Sequence, residues 1–204
     1  MSHALQCRCG TLQGVIADGR GVNRAVCYCR DCQAFAHFLG RAADVLDERG
    51  GSDIVQILPR KLTFTRGTEV LACMRLTPKG TLRWYASCCN TPVGNTVATP
   101  KWSFIGLLHS CLESDGQSLD AVFGPIRAWV NTKGARGEPK PKVAGVGPMV
   151  KWFLSTTLRA RFNGDYRRTP LFHADTGQPV VAPRVLTEVE RANVMSAVQA
   201  ANAK

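Results

Sequence analysis

The chain has 204 residues, 45% of them hydrophobic, which is enough for a packed core and excludes global disorder. Its net charge of +11 is uneven: residues 1–124 carry 13 basic and 10 acidic side chains, residues 125–204 carry 13 and 5. No run approaches the roughly 20 apolar residues of a membrane span, and the first ten residues lack a basic-then-apolar signal pattern. A cytoplasmic protein is therefore expected, with reduced thiols and no membrane partner, so its nine cysteines read as metal ligands before disulfides.

The first cysteines come at Cys7-Arg8-Cys9-Gly10. A C-x-C pair followed by glycine turns tightly enough to aim two thiolates at one ion, but a closed tetrahedral site needs two more ligands. These must come from far along the chain, where Cys88-Cys89 is the later cysteine pair. The second cluster, Cys27-Tyr28-Cys29-Arg30-Asp31-Cys32, falls where a strand is predicted to enter a helix. A helix N-terminus and a bound metal both favour thiolates. Three thiolates leave a four-coordinate Zn²⁺ one position short, the arrangement of a site that binds something. Metal or redox chemistry is the expectation for Cys27, Cys29 and Cys32.

The predicted helix spans Asp31 to Leu39, with Cys32, Phe35, Ala36 and Leu39 on one face. His37, one turn on, is a weaker candidate ligand. Strands are predicted at Leu62–Thr65, Val70–Leu76 and Leu82–Ala86, separated by Arg66-Gly67-Thr68 and Thr77-Pro78-Lys79-Gly80, with a further strand-length run from Trp102 to Ser110. Cys73 and Cys111 read as core. His3, His109 and His173 have no spacing partner and read as structural.

From Asn131 to Gly147 the Lys-, Gly- and Pro-rich composition predicts a linker or long loop. Pro148–Arg161 then reads as a helix, and Pro170–Pro183 as a hairpin around Asp175-Thr176-Gly177-Gln178. Thr187-Glu188-Val189-Glu190 is a capping box that opens a helix to about Ala201. The expected division is a zinc-binding domain, 1–124, and a basic, partly helical C-terminal extension, 125–204.

The ordered series C-x-C-G, C-x-C-x-x-C, Gly51-Ser52 and then Cys89-Asn90-Thr91-Pro92-Val93 resembles the glutathione-dependent formaldehyde-activating enzyme and centromere protein V domain over roughly residues 5–110. The resemblance implies a mainly β chain with a β-tent fold of small antiparallel sheets. It also implies a structural zinc at Cys7, Cys9 and a late C-x-x-C-G, and a second zinc at Cys27, Cys29 and Cys32 that receives a thiol such as glutathione. Members are described as carbon-sulfur lyases or S-hydroxymethylglutathione synthases. The late motif departs here: Ala86 stands where its first cysteine belongs, Asn90 replaces the glycine, and Cys88 is new. Neighbouring strand residues point oppositely, so Cys88 either joins Cys7, Cys9 and Cys89 at a turn or points into the core.

The expectation is a zinc-dependent carbon-sulfur lyase-like protein acting on glutathione or another thiol adduct, with Cys27, Cys29 and Cys32 as catalytic residues. The alternative is a catalytically inert zinc-stapled interaction module whose basic extension binds nucleic acid, the less favoured partner because the Lys/Arg-rich stretch lacks interleaved aromatics.

Overall fold

In the computed structural model, residues 2–19, 22–112 and 118–203 are described. In chain order they form β1 (His3–Gln6), β2 (Gln13–Ile16), β3 (Asn23–Cys27), α1 (Arg30–Phe38), α2 (Ala42–Val45), β4 (Ser52–Ile57), β5 (Leu62–Arg66), β6 (Leu71–Arg75), β7 (Leu82–Ala86), β8 (Thr91–Thr96), β9 (Ile105–Leu108), α3 (Leu119–Phe123), β10 (Ala128–Val130), α4 (Val146–Phe162), β11 (Arg184–Val185) and α5 (Glu188–Asn202). The fold is mainly β, with helices concentrated towards the C-terminus.

Strands β1, β2 and β5 make a small antiparallel sheet. The larger sheet runs β10-β3-β4-β9-β8-β7-β6-β11. Its interior pairs are antiparallel, and both outermost pairs, β10 with β3 and β11 with β6, are parallel. The segment after residue 124 thus supplies both edges. Short terminal strands suit that place, because a long open edge invites pairing with another chain.

The main core lies where the two sheets meet. Leu5, Leu12 and Ile16 of the small sheet and its loop pack with Leu82, Trp84, Val93, Ile105 and Leu107 of the large one. Trp84 is fully buried and its Nε1 donates to Thr96 Oγ1 at 3.0 Å, so the ring is accommodated without an orphaned donor. A second cluster joins Ala34 and Phe35 of α1 and its C-cap Leu39 to Met74 of β6, to Leu76 and Leu186, and to Val198 of α5, which seats the last helix against the one that opens at Cys29. Thr187 and Glu190 form both halves of the predicted capping box.

Three predicted elements differ. The stretch 131–147 contains a 3₁₀ turn at Thr132–Gly134, a bridge from Trp129 to Ala144 and the start of α4, so it packs against β10 rather than hanging as a linker. The 170–183 hairpin is reduced to one bridge, Phe172 to Pro179, closed by His173 N–H donating to Gln178 O at 2.8 Å. The Trp102–Ser110 run yields strand only at β9, followed by a 3₁₀ turn at His109–Cys111.

Candidate metal centres

Cys7 follows β1 directly, and the knuckle Cys7–Gly10 is closed by Gly10 N–H donating to Cys7 O at 2.9 Å. Cys88 and Cys89 lie in the turn between β7 and β8, not on a strand, so the opposed directions of neighbouring strand residues do not apply. Asn90 takes the left-handed conformation at φ 54°, which asparagine tolerates better than most residues. The two turns are tied by Arg8 N–H donating to Thr91 Oγ1 at 3.0 Å.

All four sulfurs converge, within 4.8 Å of one another. Cys9 to Cys88 is 3.3 Å, Cys7 to Cys9 3.6 Å, and both Cys7 to Cys88 and Cys88 to Cys89 are 3.8 Å. Thiolates at the corners of a tetrahedron with 2.3 Å metal–sulfur bonds stand about 3.8 Å apart. Cys88 therefore joins Cys7, Cys9 and Cys89 in a group of four sulfurs that could hold one metal ion.

The four thiols do not titrate alike. The Thr11 hydroxyl and amide N–H, with Cys88, hold exposed Cys9 down at about 6. Burial resists ionisation of Cys89, but hydrogen bonds from the Thr91 hydroxyl and from amide groups lower it overall. Burial raises Cys7, and burial with hydrogen bonding to Cys9 raises Cys88 to about 12. Cys9 is thus favoured as a thiolate at neutral pH before any cation arrives, and Cys89 is shifted in the same direction.

The second centre is built at the junction of β3 and α1. Cys27 ends the strand, Cys29 is the N-cap, and Cys32 lies in the first turn, its N–H donating to Cys29 Sγ at 3.4 Å. The three sulfurs again lie within 4.8 Å of one another. Cys27 and Cys32 are buried and Cys29 is partly exposed. The Gly51-Ser52 pair supports this corner: a Cβ at Gly51 would lie 2.5–2.6 Å from Val26, Asp47 and Tyr28, so the two strands close only with glycine there, and Ser52 Oγ donates to Cys27 O at 3.4 Å.

Neighbours unseen in the sequence complete the triplet. Asn131, also left-handed at φ 55°, donates from Nδ2 to Cys27 Sγ at 3.4 Å. Gln33 Nε2 bridges Tyr28 O and Gly134 O at 3.0 and 2.9 Å, pinning the 131–135 turn over the cysteine loop. Arg83 of β7 is buried beside Cys32; it bonds Asn95 Oδ1 at 3.2 Å, approaches Asp31 at 3.7 Å and lies over the Phe35 ring at 5.5 Å. Sequence signals existed only for the turn, as Asn131-Thr132-Lys133-Gly134; nothing local marks Arg83.

The three thiols of the triplet are pushed in different directions. Hydrogen bonds from Cys27 and Cys29 outweigh burial and, with Arg83 adding positive charge, hold Cys32 well below the usual thiol range. Cys27 is eased by Cys29, yet its bond to Cys32 and its burial push it up to about 11. Its bonds to Cys27 and Cys32, and then burial, also raise Cys29. Cys32 is thus the member of the triplet whose thiolate is favoured, while ionisation of Cys27 and Cys29 is resisted.

His37 is not among the converging ligands, and its Nε2 is buried with no hydrogen-bond partner. Burial, then Arg136, holds its pKa below the ordinary value. Cys73 and Cys111 are buried in the core, as expected. Both cysteine groups have the soft donors and the spacing to hold one metal ion each.

Residues 1–183 match a family of unknown function, DUF6151. The chain belongs to that family. No curated protein matches it. Among solved structures it is similar to a Rhodobacter sphaeroides protein known from a crystal structure, at 16% identity and a TM-score of 0.44, over 62% of this chain and 99% of that one. Both cysteine groups of this DUF6151 chain lie inside the matched residues, whereas α5 lies beyond them. No helix among the described residues is long and apolar enough to cross a membrane.

Proposed function

We propose that the protein is a zinc-dependent enzyme of thiol–aldehyde adducts, a carbon-sulfur lyase-like activity in which the triplet is the reactive centre and the four-cysteine group a structural staple. The observation that carries this reading is the difference in ligand number: four sulfurs close a tetrahedron, and three leave a position for an exogenous ligand. The motif order shared with the formaldehyde-activating and centromere protein V domain supports the same assignment.

The reaction is the making or breaking of one bond: a thiol sulfur adds to an aldehyde carbon while the carbonyl oxygen gains a proton, and the reverse releases both. When bound, zinc supplies a Lewis acid that stabilises a thiolate at neutral pH. Cys27, Cys29 and Cys32 would hold it, and the rest of the site serves that set. Asn131 orients Cys27 through its amide, Arg83 balances the excess negative charge at Cys32, and the α1 N-terminus fixes Cys29 and Cys32 in one turn.

The test is consumption of formaldehyde by zinc-loaded protein with glutathione, followed alongside Cys29→Ser. Glutathione-dependent turnover that Cys29→Ser abolishes supports the enzyme. Absence of both turnover and thiol binding, together with salt-sensitive retention of a generic oligonucleotide, would replace it with the inert zinc-stapled module that binds nucleic acid.

A further inference from the structure

Helix α4 has two faces of different fate. Met149, Trp152, Phe153, Thr156, Thr157 and Ala160 turn towards the protein, where Thr157 and Ala160 are buried and Phe153 meets Phe104 edge-on at 5.5 Å. On the outside, Val146, Val150, Leu154, Leu158 and Phe162 are all exposed, and Phe162 is 88% accessible. Their spacing of four makes a single apolar ridge along the helix. Trp102, 46% exposed, stacks on Phe153 at 5.9 Å beside it.

Charge identifies what the ridge faces. Between residues 139 and 164 there are five basic side chains and no acidic one. Lys151 stands three residues before Leu154, and Arg161 three residues after Leu158, so cations flank the ridge on both sides by helical geometry. A second copy of this surface would bring cations against cations with no carboxylate on the helix to pair them. Negatively charged lipid headgroups answer both features at once: Leu and Phe enter the acyl boundary while Lys and Arg remain at the phosphates.

We infer that α4 docks the protein on an anionic lipid bilayer, lying in the interface with Leu154, Leu158 and Phe162 inserted. Such contact needs no spanning helix, and it departs from the expectation of no membrane partner. It also gives a role to the basic excess after residue 124 that is independent of the metal centres.

The experiment is co-sedimentation of the full-length protein with vesicles of phosphatidylcholine alone and of phosphatidylcholine with one quarter phosphatidylglycerol. Binding should favour the anionic vesicles by at least about tenfold at low salt and fade as salt rises. Leu158→Glu with Phe162→Glu should abolish it. Lys151→Gln with Arg161→Gln should weaken it about fivefold per charge removed, with metal content and melting temperature unchanged. If the glutamate pair unfolds the chain, the exposed glutamine pair still decides. Equal binding to both vesicles, no binding to either, or a dimer that Phe162→Glu dissociates without any vesicle binding would each overturn the inference.

Discussion

The four-cysteine and three-cysteine groups use the same atom type and differ in what holds them. The first joins two loops 80 residues apart in sequence, Cys7–Cys9 from the small sheet and Cys88–Cys89 from the large one, through ligands and a few hydrogen bonds between the turns. The second is local in its ligands, all within six residues, yet its surroundings come from α1, β7, β8 and the 131–135 turn. Where ligands are distant and supports few, an ion works as a cross-link. Where ligands are local and supports distant, an ion ties no remote segments together, and the proposed reactive role is the one such a site leaves open. The contrast teaches that two groups of the same donor can differ in ligand span as well as in ligand number, and on the proposed reading both differences point the same way.

The largest effect that would sharpen this contrast is expected from Cys88→Ser. It should remove one zinc per chain and cost several kcal/mol, because a structural ion's binding energy is folding energy. Elemental analysis and thermal melting would check it, and full zinc content would show that Cys88 is only a bystander. Cys29→Ser should also lose one zinc and abolish adduct turnover, but with a stability loss below about 2 kcal/mol, since no distant segments come apart. A melting-temperature drop as large as that of Cys88→Ser would erase the distinction.

The proton inventory gives a third test. Cys27 is pushed up to about 11 and Cys29 is also raised, so both are thiols at neutral pH and must lose protons to bind metal. Falling pH favours the protonated ligands and weakens capture; rising pH strengthens it. Affinity at the triplet, read by chelator competition on Cys88→Ser protein, should rise about a hundredfold per pH unit below the thiol range, as release of two protons requires. A flat profile would mean that these thiols ionise earlier. The smallest effect belongs to Asn131→Ala: about tenfold weaker metal binding at the triplet, as expected on losing an outer-shell hydrogen bond, and an unchanged four-cysteine group.

Much of this was legible because it is local. The capping box at Thr187, the helix after Cys29 and the strands around Trp84 are set by neighbours within a few residues, and the structure shows them where the pattern puts them. The knuckle at Cys7 and the triplet were legible for the same reason. Cys88 was not, because its direction depends on whether four residues form a turn or continue a strand, and that is decided by Asn90 taking φ 54° and by the partner strand. Arg83 reads as one more residue of a strand; only the β7–β8 pairing and the packing of α1 carry it to Cys32. The 131–147 stretch has a loop's composition, and its order comes from contacts with Tyr28 and β3 more than 100 residues earlier.

The origin of the outer strands has a consequence for synthesis. Because β10 and β11 close the two sides of the large sheet, a nascent chain that has released only its first 124 residues presents β3 and β6 with unpaired backbone groups. Such edges are templates for joining a neighbouring chain on a crowded ribosome array. One is covered as residues 128–130 emerge, but the other waits for Arg184 and Val185. That interval, over fifty residues of translation at roughly 5–20 residues per second, lasts seconds, during which the β6 edge has no partner strand.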